Sequence, residues 1–390
     1  MGIRLHMKIV HVCLCGIFTD GLSYQENLLT KYHVKAGYEV TVIAPQWVYA
    51  KEGIVKSSDT NYFNADGVKV IRLPIKGDKH FNYRIKKYIG VIDAVSKEDP
   101  DILFIHGCQF LDILSLAQYL KRNKIKCYVD NHADFSNSAT NFLSRHILHG
   151  VLWRYCAHRI LPYAERFYGV LPARVDFLID VYHVPKEKVE LLIMGVDDEL
   201  VAKIENSDAK NTVRENFSIA PEDFLIVTGG KIDMAKRQTL FLMEAVKKIN
   251  DERLKLVIFG SIEKEIEDKV FQMCDGKRIQ YVGWADNEKA YNLFYAADLV
   301  VFPGRHSVYW EQVVGLGKPL IVKYWEGTTH IDIGGNVIYL YEDGVDCVLR
   351  QLNQIIESKE LYENMVRSAQ GKGKQEFYYS NIATKSIKAE

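Results

Sequence analysis

Apolar runs of strand length alternate along this chain with stretches of helical period, and the alternation passes through the sequence twice. In the first half Lys8–Leu14, Glu39–Ala44, Val68–Leu73, Ile102–His106 and Lys126–Val129 read as strands. Leu22–Ala36, stopped by Gly37, and Phe110–Arg122 read as helices between them. In the second half Phe224–Thr228, Lys255–Phe259, Ile279–Val282, Leu299–Phe302, Leu320–Val322 and Asn336–Leu340 read as strands, with helices over Thr239–Asn250, Lys289–Ala296 and Ser307–Leu316. Strands separated by helices build βαβ units and a parallel sheet. The expected fold class is therefore α/β, with two doubly wound, Rossmann-like domains in succession. Ligands of such sheets bind outside the carboxyl ends of the strands, so two domains facing one another would hold a ligand in a cleft. Expected boundaries are residues 1–205, residues 206–372 and a closing helical segment 373–390 that crosses back to the first domain. The polar stretch Glu205–Lys210 is the natural linker.

Composition narrows the class. The 390 residues suit two domains better than one core. Lys+Arg and Asp+Glu both number 50, and that balance argues against a dedicated nucleic-acid binder, which needs excess positive charge for phosphate. Seven scattered cysteines form neither a CxxC pair nor a Cys/His cluster, which points to a reducing cytosol and no structural zinc. No run approaches the roughly 20 apolar residues of a membrane span. The expected localisation is cytoplasmic, with peripheral membrane contact through Lys76–Lys87, where basic and aromatic residues interleave. A solvated loop is the plainer account of that stretch.

Candidate chemistry gathers at two strand-to-helix junctions of the second half. Phe302–Pro319 (FPGRHSVYWEQVVGLGKP) runs from a strand through Pro303-Gly304 into a helix, placing unpaired backbone N–H groups and a positive dipole end where an anion can sit. An ordinary α/β junction has the same pattern. Thr228–Arg237 follows a strand, and there Gly229 and Gly230 let the backbone approach a ligand. Lys231 and Lys236 can converge on one pyrophosphate. This is neither GxGxxG nor a P-loop. In the first half, Gly16 and Gly21 flank a loop before a helix, and Asn131-His132 follows a strand.

Taken in order, Gly229-Gly230-Lys231…Lys236, Phe259-Gly260-Ser261, Val282-Gly283-Trp284 and Ala297-Asp298…Pro303 before a helix ending GLGKP resemble the donor half of retaining GT-B glycosyltransferases, most closely glycosyltransferase family 4. The resemblance runs from Val227 to about Val322. It is looser in the first half, through Cys15-Gly16, Ala36–Ala44, His106-Gly107, Asn131-His132 and Met194–Leu200.

It implies a nucleotide-sugar donor held by Gly16, Gly229, Gly230, Ser261, Trp284, Arg305, His306, Ser307, Val308 and Gln312. It also implies Lys231, Lys236, Glu311 and His132 as catalytic, the lysines stabilising the departing diphosphate and His132 lining the transferred sugar. No cofactor or metal is expected, since lysines supply the cation, and the acceptor is a glycan or lipid-linked glycan of bacterial surface polysaccharide synthesis.

Two departures stand out. Lys231 replaces the family's arginine, which keeps the charge and loses the bidentate fork. The family's glutamate pair is broken: Gln312 stands seven positions before Pro319, and Gly304 eight before that. Either Glu311 takes the second place through a one-residue shift, or Gln312 meets the ribose as an amide. A nucleotide-sugar 2-epimerase and a catalytically inactive nucleotide-sugar-binding module would share this pattern. A nicotinamide dehydrogenase would need GxGxxG, which is not found.

Overall fold

The computed structural model describes residues 7–50, 53–77, 85–234 and 237–387. The chain forms two compact units, Met1–Ile193 with Tyr379–Glu390, and Met194–Tyr378. They divide at Ile193/Met194. Glu205–Lys210, expected as the linker, instead lies within the second unit, where it closes the helix Asp198–Glu205 and opens the helix Ala209–Asn216.

Among the described residues, ten strands belong to unit 1. They are β1 (Lys8–Val12), β2 (Glu39–Pro45), β3 (Trp47–Ala50), β4 (Gly53–Lys56), β5 (Asn61–Phe63), β6 (Lys69–Leu73), β7 (Ile102–His106), β8 (Lys126–Asn131), β9 (Arg166–Gly169) and β10 (Val189–Leu191). Eight of them form one sheet in the order β10-β9-β8-β7-β1-β2-β6-β5. All its neighbours are parallel except β5, which runs antiparallel to β6 at the edge. Strands β3 and β4 form a separate hairpin. β1, β7 and β8 are apolar over most of their length because both faces are covered. On one face, Ile9, Phe104, Tyr128 and Tyr168 pack with Leu29 and with Tyr379 and Ile382 of the last helix, Tyr379–Ser386.

Unit 2 holds β11 (Phe224–Gly229), β12 (Leu254–Phe259), β13 (Ile279–Tyr281), β14 (Leu299–Phe302), β15 (Leu320–Lys323) and β16 (Val337–Leu340). They are all parallel, in the order β13-β12-β11-β14-β15-β16. That is the 3-2-1-4-5-6 winding of a dinucleotide-binding sheet. Winding reverses between β11 and β14, which opens a crevice at their carboxyl ends. In unit 1 it reverses between β1 and β7.

The helix expected over Ser307–Leu316 is shorter, Tyr309–Gly315, because Ser307 and Val308 remain in the turn. The helix expected over Leu22–Ala36 starts at Gln25. Strands β3, β4, β5, β9 and β10 were not expected. Each is only three or four residues long and too short to show a period.

Candidate functional site

The unit 2 crevice is lined by Thr228, Gly229, Lys231, Pro303, Gly304, Arg305 and Ser307. This brings together the two junctions read from the sequence. The glycines there answer to the fold first. A Cβ on Gly229 would stand 2.2 Å from the Phe259 ring, and one on Gly260 would stand 1.8 Å from the Gly230 carbonyl oxygen. Gly230 has φ +112°, a conformation that residues with a side chain rarely adopt. Because the backbones approach so closely, the Ile232 amide donates to the Ser261 carbonyl at 2.8 Å, and the Glu263 amide to Ile232 at 3.0 Å.

Lys231 is exposed at the crevice. Its ammonium lies 2.6 Å from Glu263 Oε1 and 3.4 Å from Asp233 Oδ2. Hydrogen bonds to Glu263 and then to Asp233 raise its pKa, so it stays a cation. Arg305 is exposed on the facing loop. Ser261 and Trp284 are exposed on the loops after β12 and β13. Lys236 lies outside the described residues.

Glu311 and Gln312 are both fully buried. The Glu311 side chain turns inward, and its Oε1 accepts from His306 Nε2 at 2.8 Å and from His330 Nε2 at 2.9 Å. Burial alone would raise this carboxyl, but the two imidazoles outweigh it and hold it down to about 2. Glu311 Oε2 meets no hydrogen-bond partner among the described residues. In this arrangement Glu311 therefore orients His306 and His330, and because it is fully buried its Oε2 reaches a sugar hydroxyl only after a local rearrangement. His330 was invisible to sequence reasoning, since it lies 19 residues from Glu311 in the short 3-10 helix Thr329–Ile331, which carries no motif.

In unit 1 a cavity of about 340 Å³ opens at the β1/β7 reversal, lined by Cys13, Cys15, Gly16, Glu26, Lys86, His106, Gly107, Gln109, His132 and Ser138 among others. A Cβ on Gly16 would meet nothing within 4 Å, so the fold does not require glycine there. Burial pushes the Cys15 thiol up to about 12, which leaves it a neutral lining group. Lys86 donates to the Cys15 carbonyl at this cavity. Of the basic stretch 76–87, residues 78–84 lie outside the described residues.

Behind the cavity runs an unbroken row of buried imidazoles. His106 Nδ1 lies 2.7 Å from Asp130 Oδ2, and His106 Nε2 lies 2.9 Å from His11 Nδ1. His11 Nε2 lies 3.0 Å from His33 Nδ1, and His33 Nε2 lies 3.0 Å from the Ala383 carbonyl. A carbonyl only accepts, and the Ser386 hydroxyl also spends its hydrogen on Ala383 O at 2.8 Å. His33 must therefore carry its proton on Nε2, His11 on Nε2, and His106 on both nitrogens. Burial would raise the Asp130 carboxyl, but His106 and His132 hold it well below the usual carboxylate range, and with Asp130 ionised the row is complete only with His106 as an imidazolium. The pKa directions agree. Burial opposes the charge on His106, yet Asp130 raises it well above the ordinary histidine value, while burial lowers His11 and takes His33 to about 4.

Asp130 Oδ1 also accepts the Gly107 amide at 3.0 Å, and Oδ2 lies 3.4 Å from His132 Nε2. His132 is thereby anchored through Nε2, which leaves Nδ1 as its acceptor. His106, Asp130 and His132 lie close enough to consider as metal ligands. The 2.7 Å separation of the first two is that of a hydrogen bond, however, and we read the trio as a hydrogen-bonded cluster.

These histidines make unit 1 acid-sensitive. His33 and His149 are both lowered to about 4, chiefly by burial, and His11 is lowered too. Unfolding lets all three bind protons that the fold refuses between about pH 6.5 and 4. Their contribution is full above that window and is lost as pH falls through it. His106 has the opposite sign: its contribution is present below about 6.5 and is lost as pH rises through its folded value. Below about 6.5 His106 is protonated in both states and adds no slope, so the three lowered histidines set the sign: unit 1 is expected to weaken as pH falls from 6.5 to 4, by about 1.4 kcal/mol per pH unit for each net proton. Denaturant midpoints at neutral and acid pH check this; a midpoint that rose on acidification would contradict it.

With this geometry in place, known proteins can be set beside the chain. The fold is that of the GT-B glycosyltransferases, and residues 22–200 match the family described as Glycosyltransferase Family 4. An uncharacterized glycosyltransferase of Methanocaldococcus jannaschii is 19% identical over 215 residues, covering 53% of this chain; the match spans 55%, about half, of that relative's length. Sucrose-phosphate synthase from Thermosynechococcus elongatus superposes over 97% of both chains with a TM-score of 0.69 at 14% identity. HepE of Anabaena, solved with UDP, covers 97% of this chain and 98% of its own with a TM-score of 0.68 at 16% identity. The family match thus falls mostly in unit 1, while the superpositions span nearly the whole chain. Among the described residues no helix is long and apolar enough to cross a membrane.

Proposed function

We propose that this protein is a retaining glycosyltransferase of the hexosyltransferase class that moves a sugar from a nucleotide-sugar to a glycan or lipid-linked acceptor in surface polysaccharide synthesis. The observation that carries the reading is the crevice at the β11/β14 reversal, where Lys231 and Arg305 meet the glycine-floored turn and Pro303–Ser307. A diphosphate there meets two cations and a backbone that a side chain would otherwise shield. HepE, which shares the fold, was solved with UDP.

In the proposed reaction the glycosidic bond to the diphosphate breaks as its oxygen gains negative charge. Lys231 and Arg305 stabilise that charge from the crevice, and Lys236 is assigned the same role from its place in the sequence. The departing phosphate oxygen takes the acceptor proton, so no protein base is needed and no cofactor is proposed. His132, anchored on Asp130, offers Nδ1 to a hydroxyl of the sugar or acceptor in the unit 1 cavity. Ribose recognition falls to Glu311 Oε2 after a local rearrangement, or to Gln312.

A panel of nucleoside diphosphates and nucleotide-sugars, read by thermal shift, tests the donor site. At saturating ligand the expected stabilisation is about 2–3 kcal/mol, as for a ligand at roughly 100 times its Kd. No response to any nucleoside diphosphate would overturn the reading. The broken glutamate pair keeps one other reading in view, a binding module without turnover. Stabilisation without transfer or donor hydrolysis, across a panel of acceptors, would favour it.

A further inference from the structure

The cavity of unit 1 is bordered by Asn137 and Ser138, and the chain runs from there into one helix with two apolar faces. Residues Ser144–Trp153 are π-helical and continue as the α-helix Arg154–Ile160. The inner face is ordinary: His149, Trp153, Cys156, Ala157 and Ile160 are buried. The outer face should then be polar on a soluble protein. Instead Leu143, Ile147, Val151 and Tyr155, spaced four apart, are all exposed, and Phe142 beside them is 75% exposed.

Charge on this segment has one sign. From Phe135 to Ala164 the sequence contains no Asp or Glu, while Arg145, Arg154 and Arg159 lie along it. The Arg145 guanidinium lies 4.4 Å from the centroid of the Phe135 ring. The surface is the exposed side of one helix, so it suits insertion into a soft layer better than a fitted partner. A helix with apolar side chains to one side, arginines at its flanks and no acid matches the headgroup boundary of an anionic membrane.

We propose that the outer face of residues 142–155 seats unit 1 on an anionic phospholipid surface. The helix is tied to the cavity rim: Ser138 Oγ lies 2.9 Å from His149 Nε2, and the Ser138 carbonyl accepts from Ser144 Oγ at 2.7 Å. Seating the helix therefore sets the cavity mouth close to the headgroups, where an acceptor carried on a lipid would be found. That last clause rests on the transferase reading; the membrane contact does not. It also moves the contact away from Lys76–Lys87, whose Lys86 is engaged at the cavity.

Flotation of the full chain with vesicles tests the proposal and needs no donor, so its failure leaves the transferase reading standing. The protein is expected to float with phosphatidylcholine–phosphatidylglycerol vesicles and about tenfold less with phosphatidylcholine alone. The Leu143→Ser/Val151→Ser variant, altered only on the outer face, is expected to lose about tenfold in partition with an unchanged thermal midpoint and unchanged response to nucleoside diphosphates. Should that variant unfold, Arg145→Glu/Arg159→Glu reads the same face through charge and should lose binding to the mixed vesicles. Absence of flotation by the unaltered protein, or equal flotation by a folded variant, would overturn it. So would a dimer in sedimentation velocity that the same substitutions dissolve, since the face would then belong to a second copy.

Discussion

Asp130→Asn is expected to destabilise unit 1 by about 3–5 kcal/mol, the cost of leaving one member of a buried ion pair without the other. The carboxylate is fully enclosed, and it takes the His106 proton at 2.7 Å and the Gly107 amide at 3.0 Å. An amide in its place offers one acceptor where two oxygens now serve, and turns an N–H toward a nitrogen or an amide that is itself a donor. His106 would then either keep its charge without a counter-ion or give up its Nδ1 proton, which retains Nε2–H toward His11 and leaves the row back to Ala383 unchanged. Hydrogen exchange in β7 and β8 is the appropriate measurement because it isolates unit 1. A double-mutant cycle with His106→Gln separates the pair from its surroundings: if the charges face each other, the combined loss falls short of the sum of the single losses. An additive cycle, or an Asp130→Asn protein as stable as the parent, would contradict the imidazolium assignment.

Lys231→Ala is expected to lower transfer by about 100- to 1,000-fold, the range found when one preorganised donor to a developing oxyanion is removed. Lys231→Arg should recover part of that loss, since charge is kept while reach changes. The ammonium is already engaged, 2.6 Å from Glu263 Oε1, so an incoming diphosphate must displace a carboxylate. Glu263→Gln should therefore tighten nucleoside diphosphate binding while leaving the fold alone, because both side chains are exposed and such pairs contribute little to stability. Steady-state rates with thermal shift of the same variants would decide. Transfer at the parent rate by Lys231→Ala would remove that lysine from the proposed mechanism, and unchanged donor affinity in Glu263→Gln would show that the pair does not gate the site.

Much of the fold is legible in the amino-acid sequence. The βαβ alternation and the bounds of β7, β11, β12 and β14 to within a residue follow from local pattern, while Gly229-Gly230 and Pro303-Gly304 were brought together only by the family resemblance. Sequence records periodicity and backbone permissiveness directly: a buried parallel strand is continuously apolar, and a turn with positive φ is marked by glycine. For the same reason short edge strands escaped notice, and the helix of residues 144–160 was not assigned. With both faces apolar it shows no polar stripe from which a period could be taken.

The chain by itself determined that two parallel sheets would form and where their windings would place loops, because those outcomes rest on interactions between residues near in sequence and on the burial of whole segments. Tertiary structure alone decided which side chains meet. His11, His33, His106 and Asp130 come from three strands and a helix, and His33 is answered by a carbonyl 350 residues away. Glu311 was read as a sugar contact, yet its carboxylate faces His306 and His330. The direction of a buried polar side chain is set by whichever partner the fold brings within hydrogen-bonding distance, and no local pattern in the sequence encodes that distance.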